Sequence, residues 1–241
     1  IGITGDPADV QTKTQPGLLL AGGGGDVDAA MQWFIERSGG GDVVIIRASG
    51  STGYNNYLFK LGKVNSVETL LINSRALAMN DTIVQIVRNA EALFIAGGDQ
   101  WNYTRYWMGT PLNDAINFLI NKKKVPVGGT SAGLAILGEY FFDAKNGGIT
   151  SDSALQNPFH PKMSVNRGFI KTKLLTNLIT DSHYDQRNRQ GRHVVMLATI
   201  MMKDKMNPKG LGLDEKTAVA IDKKGNMKVF GSGNAWFLQA S

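Results

Sequence analysis

Short apolar runs that close in glycine-rich turns constrain this chain more than any other feature. Residues 18–21 run into Gly22-Gly23-Gly24-Gly25, residues 92–96 into Gly97-Gly98, and residues 125–127 into Gly128-Gly129. Two more runs, 43–46 and 69–72, lie between them. A strand that is apolar throughout has to be covered on both faces, and the stretches between the runs supply the covering helices. Asp26 reads as the cap of the first, with Ala30, Trp33 and Phe34 on its apolar side. Asn80-Asp81 opens a second that runs to about residue 89, and a third spans residues 112–122. The expectation is an α/β fold with a mostly parallel central sheet. Such sheets bind ligands beyond the carboxyl ends of their strands, where the glycine-rich turns collect.

Past Gly138 the pattern loosens. Residues 139–182 mix Gly, Asn and Pro with brief apolar pieces and read as loops around a site. A helix is expected from about residue 186 to 201. Residues 211–221, 227–230 and 236–238 read as strands extending the sheet, with a turn at 223–226. Residues 1–16 are polar and aperiodic, a flexible lead-in before a single domain at 17–241. Such an opening resembles the spacer left behind a removed export signal, so a periplasmic or extracellular location is expected, with the cytoplasm as the alternative.

Composition narrows the chemistry. The 241 residues include no cysteine, which excludes disulfides, thiolate metal sites and a cysteine nucleophile. No run of eighteen apolar residues spans a membrane. The net charge of +6 invites nucleic acid as a partner, but no reader motif accompanies it. Most of the lysines read as a solvated surface. The nine arginines differ, because Arg187, Arg189 and Arg192 fall within six residues.

Gly129-Thr130-Ser131-Ala132-Gly133 is G-x-S-x-G between an apolar strand and an apolar helical run. A nucleophile on that sharp turn needs small neighbours, and the turn aims the next N–H, that of Ala132, at a developing oxyanion. The competing reading makes Ser131 a helix cap in a glycine-rich turn. Gly22–Gly25 lacks the third glycine of a dinucleotide loop, which would fall at Val27, and no G-K-[ST] follows it. Gly97-Gly98 reads as a turn facing the elbow, with the Gly98 N–H as second oxyanion donor. A serine needs a base, and there are three histidines. His193 enters an apolar run, His160 lies in a loop without acids, and His183 in Asp181-Ser182-His183 is the best placed. Asp181, Asp214 and Glu215 are all candidates for the acid that orients it. Guanidinium groups grip carboxylates through paired hydrogen bonds, so the arginine fork suits an acidic substrate. The competing reading is a solvated basic helix start.

Four motifs come in one order: Gly97-Gly98-Asp99-Gln100, the elbow at 129–133, Asp-x-His-x-x-x-Arg-x-Arg-x-x-Arg at 181–192, and Gly-Leu-Asp-Glu-x-Thr-Ala at 212–218. Together they resemble the cyanophycinase branch of the serine peptidases of family S51, which also holds aspartyl dipeptidase. The resemblance implies a three-layer αβα fold like that of class I glutamine amidotransferases. It implies Ser131 as nucleophile, His183 as base and Glu215 as orienting acid. Gln100, Asp181, Arg187, Arg189 and Arg192 would line the substrate pocket. It further implies no metal or organic cofactor, a small peptide or cyanophycin as substrate, and a homodimer. Cyanophycinases release β-Asp-Arg dipeptides from arginine-decorated polyaspartate. They usually carry Gln where this chain has Ser182, and the tract Trp101–Trp107 would add pocket walls of its own or simply pack. An α-aspartyl dipeptidase, and a binding module that keeps the fold without catalysis, are the rival readings.

Overall fold

The polar opening of the chain is built into the fold instead of leading loosely up to it. In the computed structural model, which describes residues 2–239, β1 (Gly2–Gly5) pairs antiparallel with β4 (Ser66–Leu71). The segment that follows is tied down as well. Asp6 N–H donates to Asn65 O at 3.0 Å, Val10 N–H to Asp42 Oδ2 at 3.1 Å, and Gln15 N–H to Arg37 O at 2.8 Å. An edge strand of four residues held by backbone bonds leaves no hydrophobic period to read.

Between them, β2 (Gly17–Ala21), β3 (Asp42–Arg47), β4, β5 (Ala92–Ile95) and β6 (Pro126–Thr130) form a parallel centre in the order β4-β3-β5-β6-β2. β1 closes one edge; β11 (Thr217–Asp222) and β12 (Met227–Gly231) close the other, all antiparallel. Alternate side chains enter opposite cores, as a period of two requires. Leu18, Leu20, Val44, Ile46, Leu93 and Ile95 pack under α3 (Arg75–Ala78), α4 (Asp81–Asn89), α5 (Gln100–Trp107) and α6 (Pro111–Phe118). Leu19, Val43, Ile45, Ala92 and Phe94 pack under α1 (Asp28–Glu36) and α2 (Gly53–Leu61). Fully burying each such side chain contributes roughly 1.5–3 kcal/mol, so the doubly covered strands dominate the sheet's stability. The expected α/β layering is therefore present.

Two boundaries differ from expectation at the helices. The position before α1 is Val27, and no side chain caps it; Asp26 instead accepts from Tyr54 Oη–H at 3.1 Å. Residues 119–123 extend α6 as a π-helical turn, which ends at Lys124 with φ 61°.

After β6 and the short α7 (Ala132–Ala135), the expected loops build a second sheet. It joins β7 (Tyr140–Phe142), β8 (Val165–Arg167), β9 (Leu178–Asp181), β10 (Lys209–Leu213) and β13 (Ala235–Gln239) in the order β13-β10-β9-β7-β8. Strands of three or four residues are too short to show a period. α8 (Ser151–Gln156) and α9 (Gln190–Asp204) cover this sheet through Ala154, Val195, Met196 and Ile200. α9 starts four residues later than expected, because residues 183–189 are spent in a turn with positive φ at His183 and Asn188. The run 211–221 is not one strand. It divides into β10 of the second sheet and β11 of the first, with Asp214-Glu215-Lys216 at the crossing. Phe141, Leu178, Leu211 and Leu213 join the core under α4–α6, so the two sheets share it.

Candidate active site

β6 delivers Ser131 to the carboxyl edge on a turn that only small residues permit. A Cβ on Gly129 would lie 2.7 Å from the Gly133 carbonyl, and one on Gly133 would lie 2.1 Å from Ile95 O. Those two contacts account for both glycines of the pentapeptide. Ser131 itself adopts φ 54° and ψ −114°, a conformation costing roughly 1–3 kcal/mol that the surrounding bonds must hold. Its N–H donates to Ala21 O at 3.0 Å. The hydroxyl does not cap α7, which sets aside the competing reading. It lies 2.7 Å from His183 Nε2.

The histidine arrives from the other sheet. His183 follows β9 by two residues, takes φ 46°, and donates its N–H to Gly22 O at 2.9 Å. Its Nδ1 stands 2.6 Å from Glu215 Oε1, a charge-assisted distance. Of the three candidate acids, Glu215 is the one that reaches the imidazole. Asp214 is turned the other way. Its carboxylate accepts from Asp185 N–H at 3.1 Å, Asn234 N–H at 2.8 Å and Trp236 Nε1–H at 2.9 Å, clipping the histidine loop to β13. Gln186 Oε1 accepts the Glu215 N–H at 2.8 Å, and Lys216 N–H donates to Gly23 O at 2.8 Å.

That last bond points to a role for Gly22–Gly25 that the sequence did not reveal. Gly23 and Gly24 have φ 92° and 70°. A Cβ on Gly23 would lie 2.6 Å from His183 Nε2, and one on Gly24 would lie 2.4 Å from Glu215 Oε2. The loop is bare because the imidazole and the carboxylate lie against it.

Electrostatics suit a base that is neutral at physiological pH. Burial lowers the His183 pKa below its ordinary 6.5, and the Arg187 and Arg189 charges add to this; the Glu215 hydrogen bond opposes both. The same bond holds the Glu215 carboxyl below its usual range. A protonated imidazole cannot accept the serine proton, so kcat/KM should rise with pH through an ionisation below 6.5. Arg187→Ala removes one cause of that depression. The acid limb should then move to higher pH, and a pH profile of kcat/KM for both proteins checks it; an unmoved limb would separate Arg187 from the imidazole.

The expected substrate residues divide into two groups. Asp181 is buried and already gripped: Arg192 Nε and Nη2 reach its two oxygens at 2.8 and 2.6 Å, and Arg189 Nη1 reaches Oδ1 at 3.0 Å. Burial alone would raise its pKa, but the two guanidinium groups outweigh this and hold it at about 2. Arg192 also donates to Ile149 O at 3.3 Å and lies over the Phe142 ring, whereas Arg189 donates to Ser182 O at 2.8 Å. Expected to meet an acidic substrate, these two arginines meet a carboxylate of their own chain. Arg187 is exposed. Gln100 is half-buried at the start of α5, its Nε2 3.5 Å from Phe142 O. Gly97 abuts Ser131, a Cβ there falling 3.4 Å from Ser131 Cβ, and Gly98 follows it. Within the aromatic tract, Tyr103 and Trp107 are fully buried and stacked at 4.4 Å, so they pack. His193 is buried against Tyr184 Oη and Ile179 O; His160 Nδ1 accepts from Lys162 N–H. Among the described residues no group of three or more His, Asp or Glu could hold a metal ion. Nor is any helix long and apolar enough to cross a membrane.

An α/β fold with a strained serine, an imidazole and a carboxylate in line at the strand ends defines a hydrolase of the serine type. The sequence model of peptidase family S51 matches residues 18–229, and the chain belongs to that family of peptidases. The cyanophycinase of Synechococcus elongatus is 28% identical over 236 residues, covering 93% of this chain and 68% of that protein. That of Geminocystis herdmanii (strain PCC 6308) is 27% identical over 229 residues, covering 90% and 78%. Among solved structures, a peptidase from an acI-B1 Actinobacterium aligns with TM-score 0.65 at 16% identity, over 95% of this chain and 99% of that one. A putative peptidase E from Listeria monocytogenes EGD-e aligns with TM-score 0.56 at 17% identity, over 91% and 100%. These two share the fold.

Proposed function

We propose that the protein is a serine peptidase of aspartyl substrates, cutting cyanophycin to β-Asp-Arg dipeptides. The observation that carries this is the unbroken line from Ser131 Oγ to His183 Nε2 at 2.7 Å and from Nδ1 to Glu215 Oε1 at 2.6 Å. His183 takes the hydroxyl proton as Ser131 attacks the scissile carbonyl, and Glu215 stabilises the imidazolium that forms. The amides of Ala132 and Gly98 receive the oxyanion. The leaving amine collects the proton from His183, and water then hydrolyses the acyl-enzyme by the same route. Exposed Arg187 and half-buried Gln100 hold the aspartyl carboxylate, while the Asp181–Arg189–Arg192 cluster fixes the loop that carries the base. The cyanophycinases among the relatives supply the substrate class. Ser182 is buried beneath Arg189, its Oγ 3.3 Å from Arg189 Nη1.

The test is to incubate the protein with insoluble cyanophycin and, separately, with α-Asp-X dipeptides, and to identify soluble products by mass spectrometry. β-Asp-Arg from the first is the expected result. Turnover of the dipeptides alone would replace the cyanophycinase reading with an α-aspartyl dipeptidase, and turnover of neither would end both.

A further inference from the structure

The aromatic tract of α5 packs, but one hydroxyl in it reaches beyond the packing. Tyr103 is fully buried, its ring stacked on Trp107 at 4.4 Å. Trp107 is fixed in turn, because its Nε1–H donates to Ile72 O at 2.9 Å. A ring held this way delivers its oxygen to one place. That place is the turn after β5, where Tyr103 Oη–H donates to Ala96 O at 2.8 Å and to Gly97 O at 2.9 Å. One proton serves both carbonyls.

The turn is bare where the phenol meets it. A Cβ on Gly98 would lie 2.7 Å from Tyr103 Oη but 3.4 Å from Cζ, so the hydroxyl alone takes the space. Gly98 has no positive φ, and its backbone conformation does not call for glycine. A planar trans peptide carries its C=O and N–H on opposite sides. With the Ala96 and Gly97 carbonyls turned to the phenol, the N–H groups of Gly97 and Gly98 are turned away from it. Among the described residues neither N–H donates to a protein acceptor. Gly98 is exposed, and Gly97 abuts Ser131. The two glycines have no Cβ to resist rotation of the peptide between them. If that peptide turned over, the Gly97 carbonyl would replace the Gly98 N–H, and an acceptor there repels an oxyanion.

We infer that Tyr103 is the positioning residue of the oxyanion site: its hydroxyl holds peptides 96–97 and 97–98 with their N–H groups towards the space above Ser131. The inference rests on the reading of Ser131 as nucleophile and of the Gly98 amide as oxyanion donor. Tyr103 acts through the turn and meets neither substrate nor any reacting atom.

Tyr103→Phe keeps the stacked ring and removes only the hydroxyl. On the aspartyl peptide that wild type turns over, kcat should fall about ten- to a hundredfold, the scale of leaving a buried acceptor without its donor. KM should stay within about twofold, since the oxyanion exists only in the transition state. Unchanged kcat in the folded variant overturns the inference, and so does a loss carried mainly by KM. Should the variant not fold, wild type labelled with a fluorophosphonate and crystallised decides. A phosphoryl oxygen within hydrogen-bond distance of Gly98 N, with Gly97 O still on Tyr103 Oη, supports it; an oxygen bound elsewhere, or a turn that has left the phenol, overturns it. Wild type that neither cuts an aspartyl peptide nor takes the label removes the nucleophile reading and this inference together. An active wild type beside an equally active variant removes the inference alone.

Discussion

Ser131→Ala should keep its fold and lose cyanophycin hydrolysis by about six orders of magnitude, the scale of nucleophile loss in a well-studied serine protease. The methyl group leaves nothing for His183 Nε2 to deprotonate, while the backbone bond from residue 131 to Ala21 O survives. His183→Ala should cost about as much, and the double variant little more, because the groups act as a unit. Product release followed by mass spectrometry, with circular dichroism for the fold, measures both. A fluorophosphonate probe should label wild type at Ser131. Variant activity within a hundredfold of wild type would mean that another group attacks. If the chain were a binding module instead, wild type itself would be inactive and Ser131 would resist the probe.

Asp181→Asn should destabilise the fold by about 3 kcal/mol at neutral pH, the lower end for breaking a buried ion pair by removing one partner. Arg192 is buried and would lose its bidentate partner, keeping Ile149 O; Arg189 would keep Ser182 O. Linkage gives the pH signature. The carboxyl titrates at about 2 in the folded chain against an ordinary 3.8, so it binds its proton less readily when folded. Its contribution, about 2 kcal/mol, is present above the unfolded pKa and is lost as pH falls from about 4 to about 2. Urea unfolding at pH 7, 4, 3 and 2 should show wild type losing that increment and the variant lacking it. Equal slopes for the two proteins would mean that the pair does not bear on stability.

How far the sequence discloses this molecule depends on what each piece leaves in the pattern. The parallel centre is legible because Leu18–Leu20 and Val43–Ile46 are apolar at every position, which double-sided burial demands. The second sheet is not, since β7 and β8 have three residues each and no period fits in three. Ser131 and His183 are legible from their neighbours. The choice between Asp214 and Glu215 is not legible from the residues alone, because adjacent side chains point opposite ways and only the partners, N–H groups in one case and an imidazole in the other, distinguish them. The arginine fork misleads for a related reason. Asp181 stands eight and eleven residues before Arg189 and Arg192, and only the tight turn at 183–189 brings the three together. Asp26 looks like a cap in the text and faces a tyrosine in space.

The hydrogen-bonded Ser131 and His183 come from different sheets: Ser131 follows β6 of the eight-stranded sheet, His183 follows β9 of the five-stranded one, and Glu215 lies at the crossing between them. The distance from Ser131 Oγ to His183 Nε2 is therefore a measure of how the two sheets sit on each other. Leu178, Leu211 and Leu213, in the core that the two sheets share, act as the spacer that sets it. Trimming that spacer would detune proton transfer from a distance, with every participating atom still in the chain.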